Sequence, residues 1–229
     1  MSKAVGRRSG FNGPMSDHGE QRRWDDPEHA RDYLDHRQEV PHRAEGEAVL
    51  VDALGAVDRV LDLGAGDGRL LGLVLDANPG AGGVALDHNP AMLEAADARF
   101  AALPEVAVID HDLDDELPGG LGAFDAVVSA LALHHFTEER RRALFAEVLA
   151  MLRPGGVFAD LDLVRSASEA LHDRFIDRVP WDRDPASAWD RHPSLEQRMA
   201  WLVDAGFVNV DGLWKWRELA LVAGERPPA

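Results

Sequence analysis

The sequence contains no cysteine, which excludes disulfides and thiolate metal sites and fits a reducing, cytoplasmic setting. It has no run of about 18 uncharged apolar residues, so no transmembrane helix and no membrane partner are expected. Arg7 and Arg8 stand near the start with no apolar stretch behind them, so a signal peptide is not expected either. Basic residues are scarce: 24 Lys and Arg face 41 Asp and Glu, for a net charge of −17. Residues 1–43 carry eight of each sign, so the whole negative excess lies beyond them. Such a surface repels phosphate backbones, and no dense basic run interrupts it, which disfavours nucleic acid as substrate or partner.

What is present is enough for a full core. The 229 residues are 45% apolar, and one domain with decorations is the expectation. The densest signal is Val60-Leu61-Asp62-Leu63-Gly64-Ala65-Gly66-Asp67-Gly68. An apolar run meets an acid and then three alternating glycines, and a helical pattern follows from Arg69. This reads as a buried strand turning sharply into a helix, with glycines that let backbone and ligand approach closely. A dinucleotide fingerprint would place its third glycine at 69, where Arg stands. Asp62, just ahead of the glycines, would also repel a pyrophosphate, so an NAD-dependent reductase fails on this spacing.

Taken in order, residues 1–23 are polar and Gly-rich and read as a tail. Residues 24–57 read as a helical cap, with one helix from Asp25-Asp26-Pro27-Glu28 to Pro41 and a second over 44–54. The core, 58–165, alternates short apolar strands (59–63, 83–87, 106–110, 124–130, 157–163) with helices (69–76, 91–100, 137–152). This pattern predicts an α/β, doubly wound and mostly parallel sheet. Residues 166–193 break the rhythm with Trp181, Trp189 and many charges, and read as a substrate-lid insertion. Residues 194–229 supply a helix ended by Gly206 and two strands (207–213, 218–223) too close for anything but an antiparallel hairpin, seven strands in all.

Open α/β sheets bind ligands beyond the carboxyl ends of their strands. Strand two ends in Asp87, nineteen residues past Gly68, the spacing at which an acid accepts from ribose hydroxyls. An N-cap is the competing role, but Asn89 already fills it. Strand three ends Asp110-His111-Asp112, where an acid can meet an adenine amino group; the run of Asp114, Asp115 and Glu116 offers simple surface solvation instead. These oxygens and His111 can also be read as a metal site, but an acidic surface run is the commoner cause, and no metal is expected. The segment after strand four is too apolar for a solvent loop and ends in His134-His135. Trp214 and Trp216 share one strand face, as core or as rim, and Arg217 or Lys215 beside them can bind an acidic or planar substrate.

Together with Leu152-Arg153-Pro154-Gly155-Gly156, these stretches resemble motifs I to VI of the class I S-adenosylmethionine (SAM) methyltransferases, over roughly residues 24–224, and the small-molecule subset in particular. The resemblance implies the class I methyltransferase fold, SAM as methyl donor and S-adenosylhomocysteine (SAH) as product. By that resemblance Asp62, Gly64, Ala65, Gly66 and Gly68 hold the methionine portion. Asp87 takes the ribose, His88 and Met92 lie by the adenine, and His111, Asp112 and Leu113 bound its edge. Ser129, Ala130 and Leu131 line the sulfonium side, and Tyr33 closes over the cofactor. Trp24, Arg37, Trp181, Trp214, Trp216 and Arg217 are the substrate candidates, and His134 or His135 the candidate base, with an unperturbed pKa near 6.5. One histidine can equally pack structurally beneath SAM. Two other readings stand beside this one. A similar terminal hairpin occurs in a tRNA wobble-uridine enzyme using SAM or carboxy-SAM, and the fold also serves as a non-catalytic SAM-binding module.

Overall fold

A computed structural model of the protein describes residues 40–179 and 192–229. In chain order the elements are α1 (Arg43–Leu54), β1 (Arg59–Leu63), α2 (Arg69–Ala77), β2 (Gly82–Asp87), α3 (Pro90–Phe100), β3 (Val106–Asp110) and β4 (Phe124–Ala130). A 3₁₀ turn (Leu133–His135) leads to α4 (Glu138–Met151), β5 (Leu152–Leu163), α5 (Glu169–Ile176), α6 (Leu195–Ala205), β6 (Val208–Trp216) and β7 (Leu219–Glu225). The strands form one seven-stranded sheet in the order β3-β2-β1-β4-β5-β7-β6. The first five run parallel, and β7 pairs antiparallel with both β5 and β6. Order reverses between β1 and β4, so the switch-point crevice opens where the glycine loop ends β1.

Local chemistry sets the helix boundaries. Asn89 caps α3 by accepting from the backbone of Ala91 and Met92 at 2.9 and 3.1 Å, with Pro90 as first helical residue. Ser194 and Gln197 form a reciprocal capping box at the start of α6, and Gly206 ends that helix in the left-handed region. The central strands carry apolar residues on both faces because helices cover both sides. Leu61, Leu63, Val127 and Phe158 pack towards α4 and α6, whereas Val60, Ala126, Val128 and Leu161 pack towards α1 and α2.

Two sequence expectations are revised. Strand five begins at Leu152, not 157. Gly155 and Gly156 exchange backbone hydrogen bonds with Arg226, and the irregularity is absorbed against β4 between Phe124 and Ala126. The hairpin strands reach Trp216 and Glu225, turning at Arg217 and Glu218, with bulge-like shifts along β6. β6 pairs antiparallel with β7, as the tight hairpin requires, and therefore points the same way as β1 to β5. Among the described residues no helix is long and apolar enough to cross a membrane.

Candidate active site

The glycine loop builds one wall of a cleft, and each glycine has its own cause. Gly64 has φ 64°, and a Cβ there would lie 2.4 Å from Ala132 Cβ, so the loops after β1 and β4 meet at this point. Gly66 has φ 55°, and a Cβ would meet only Met92 Sδ, at 3.8 Å. Its amide donates to Asp87 Oδ2 at 2.8 Å, and Asp87 Oδ1 accepts from the Asn89 amide at 2.9 Å. A carboxylate has about four acceptor positions, so Asp87 keeps capacity for two further donors.

The cleft is lined by residues 64–67, by Asp87, His88, Asn89 and Met92, by His111 and Leu113, and by residues 130–132 with His135 and Phe136. Its volume is about 90 Å³, below the roughly 300–1,000 Å³ of full ligand pockets. Two features mark the cleft. His111 Nε2 is buried without a hydrogen-bond partner among the described residues. Leu131 holds φ 56°, a strained value for a branched residue, where the chain leaves β4.

Of the residues expected at the cofactor, Gly64, Ala65, Gly66, Asp87, His88, Met92, His111, Leu113, Ala130 and Leu131 meet in this one cleft. Four others do not line it. Asp62 is buried beneath the loop, where Oδ2 accepts from the Leu71 amide in the first turn of α2 at 3.1 Å. Burial pushes its carboxyl up to about 8, reinforced by the Asp87 charge. Gly68 precedes α2 with φ 74°, and a Cβ would lie 2.3 Å from the Phe100 ring, so this glycine serves packing of α2 on α3. Ser129 is buried and donates to Leu63 O at 2.8 Å, tying β4 to β1. Asp112 accepts from the Asp114 amide at 2.9 Å in an exposed turn.

The sequence reading missed Arg43. It is buried at the first turn of α1 and lines the cleft, while its Nε donates to Glu47 at 2.7 Å. Glu47 is fully buried and also receives Arg69 at 2.7 Å, so two cations share one carboxylate beside the glycine loop. A basic residue opening the helix ahead of the glycine loop was the available signal.

The histidines divide. His135 lines the cleft, and His134 stacks behind it with ring centroids 3.9 Å apart. His134 is fixed by Asp162, whose Oδ2 accepts from the His134 amide at 2.8 Å and whose Oδ1 accepts from Nδ1 at 2.6 Å. Arg198, fully buried on α6, donates to Asp160 and, at 3.1 Å, to Asp162. Burial opposes ionisation of Asp162, but His134 and Arg198 outweigh it and hold the carboxyl well below the usual range. Asp160 moves the other way, pushed up mainly by burial.

The substrate candidates scatter. Trp24, Tyr33, Arg37 and Trp181 lie outside the described residues. Trp214 packs under α1, where a Cβ on Gly46 would lie 3.0 Å from its ring. Trp216 stacks on His42 at 4.6 Å and edge-on to Phe175 at 5.9 Å. Arg217 sits over the Trp216 ring at 5.6 Å and lines a different cleft. Among the described residues no group of three or more His, Asp or Glu side chains is arranged to hold a metal ion.

Residues 60–156 match the family model described as a methyltransferase domain. An uncharacterised methyltransferase of Synechocystis sp. is 34% identical over 116 residues, covering 51% of this chain and 52% of that protein. The trans-aconitate 2-methyltransferase of Methylobacterium nodulans is 33% identical over 181 residues, covering 76% of this chain and 66% of that one. The matches thus span about half the length of the Synechocystis relative and of several others. An O-methyltransferase family protein from Burkholderia thailandensis shares the fold, with TM-score 0.69 and 21% identity over 92% of this chain and 63% of that one. The glycine loop, the acid ending β2 and the sheet order agree with these likenesses: the chain carries a methyltransferase domain, on the fold of the class I SAM-dependent methyltransferases.

Proposed function

We propose that the protein transfers a methyl group from SAM to an oxygen, nitrogen or carbon of a small molecule, in the cytoplasm. The observation that carries this reading is the single cleft that joins the glycine loop, Asp87, the unpartnered His111 nitrogen and His135. SAM, when bound, supplies a methyl group on a cationic sulfonium. Asp87 would hold the ribose hydroxyls with its spare acceptor capacity, and Met92 and Leu113 would give the base apolar surface. His111 Nε2 would hydrogen-bond a polar group of the base, and Arg43 would hold the carboxylate of the methionine portion. A net charge of −17 turns nucleic acid away as acceptor.

Methyl transfer is an in-line displacement, so the chain contributes mainly alignment, which can supply roughly 7–11 kcal/mol. Where the acceptor carries a proton, His135, on the stretch after β4, is the group that takes it. Ionised Asp162 can only accept, so it fixes the proton of His134 on Nδ1 and holds that ring against His135. Leu131 also joins an apolar cluster with Phe175, Ile176 and Val179 of the α5 region, which gives the acceptor side a water-excluding wall as part of the expected lid. Incubation with methyl-labelled SAM and small-molecule extracts, read by mass spectrometry, tests the reading. A labelled product below the nucleic-acid size range is the expected result.

A further inference from the structure

A second cleft, of about 530 Å³, opens at the carboxyl rim of the sheet, within the size range of small-molecule sites. Its charge is opposite to that of the chain. Among the described residues, Arg165, which follows β5, and Lys215 and Arg217, from the end of β6, line it with one carboxylate, Glu196. The remaining wall is small or apolar, with Ser166, Leu171 and Leu195 among its residues.

The cations are held in place by the fold. Arg165 is tied through its amide to Pro193 O at 2.8 Å and through its guanidinium to Gln197 at 3.2 Å. Arg217 occupies the left-handed region at φ 53° in the β6–β7 turn, and Lys215 donates to the Arg217 carbonyl. Glu218, a further acid near Lys215 among the described residues, is buried and engaged with His172 at 3.0 Å. Burial lowers the Lys215 pKa against the pull of Glu218 and Glu196, so the amine sits where an added anion would be stabilising.

A short segment connects this cleft to the histidine pair behind the candidate active site. His192 meets the His134 ring edge-on at 5.7 Å, and Ser194, two residues on, lines the basic cleft. Two residues span at most about 7 Å of chain, so one short segment touches both the His134 ring and the basic cleft.

We propose that this cleft binds the acidic groups of the methyl acceptor, a small molecule carrying two or more carboxylates or phosphates. The inference rests on the methyltransferase reading and gives its acceptor a charge. Titration calorimetry of the full chain at low salt, with and without SAH, tests it, using citrate as the tricarboxylate probe and inorganic pyrophosphate as the phosphate probe. One of the two should bind, more weakly as salt rises. Lys215→Gln with Arg217→Gln should weaken that binding about tenfold or more, whereas Arg217→Lys keeps most of it. SAH affinity should be unchanged in every variant. Binding by citrate alone identifies a carboxylate acceptor, and by pyrophosphate alone a phosphorylated one. Absence of binding by both probes, or binding that the double variant leaves intact, overturns the proposal while SAH binding still stands. Failure of SAH to bind would instead strike the methyltransferase reading.

Discussion

Asp162 grips His134 at two points, its backbone amide at 2.8 Å and its Nδ1 at 2.6 Å. The same carboxylate receives Leu163 N at 2.8 Å and the buried Arg198 guanidinium at 3.1 Å. With four donors on one ionised group, the ring that backs His135 has one orientation and one tautomer. Asp162→Asn should therefore lower kcat on a hydroxyl or carboxylic acid acceptor, while SAH affinity stays near wild type. Its kcat against pH should also lose the wild-type shape, a readout that a merely structural role leaves unmoved. The variant breaks a buried ion pair, so stability should fall by about 3–5 kcal/mol. Wild-type kcat and pH profile in a folded Asn variant would remove Asp162 from the positioning role.

His135→Ala tests the base itself. If His135 takes the acceptor proton, turnover should drop by roughly 10²–10⁴-fold with SAH binding nearly intact, and the loss should shrink at high pH as the acceptor ionises unaided. Near-wild-type rates across the pH range would leave only alignment and exclusion of water.

Asp87→Ala should weaken SAM and SAH together. Hydrogen bonds to a charged group are worth roughly 1.5–3 kcal/mol each. The loss of the tie to Gly66 at 2.8 Å should also loosen the glycine loop. Unchanged affinity in calorimetry would take Asp87 out of the site.

Asp62→Asn addresses the buried acid. Its folded pKa of about 8 stands above the ordinary 3.8, so the folded state holds this proton more tightly than the unfolded state. The destabilisation from ionising it is absent below about pH 4, grows as pH rises, and levels off above about 8. Thermal melts should show the Tm of Asp62→Asn, relative to wild type, climbing between about pH 5 and pH 8.5. A constant difference would mean that Asp62 is ionised throughout.

Much of this was legible in the chain. The glycine loop, the acid ending β2 and the alternation of strand and helix are local signals, and they placed the sheet and most of the cleft. The misses are tertiary. Gly68 looks like part of a ligand loop until Phe100, on another helix, is seen to occupy the space its Cβ would need. Arg43 reaches the cleft only because Gly46 lets α1 settle against Leu161 and Trp214. Asp160 and Asp162 stand out as acids in an apolar strand, a pattern that needs a buried cation, but Arg198 lies on a helix 36 residues past Asp162. Trp24, Tyr33, Arg37 and Trp181 lie outside the described residues.

The central claim is that the cleft turns SAM over onto a small molecule. Single-turnover incubation of the full chain with methyl-labelled SAM and fractionated small-molecule extract measures it directly. The account predicts that label appears in a small product in step with SAH formation, and that Asp87→Ala abolishes both at low SAM. Tight SAM binding with no SAH formed from any fraction, or label recovered only in RNA, would contradict it.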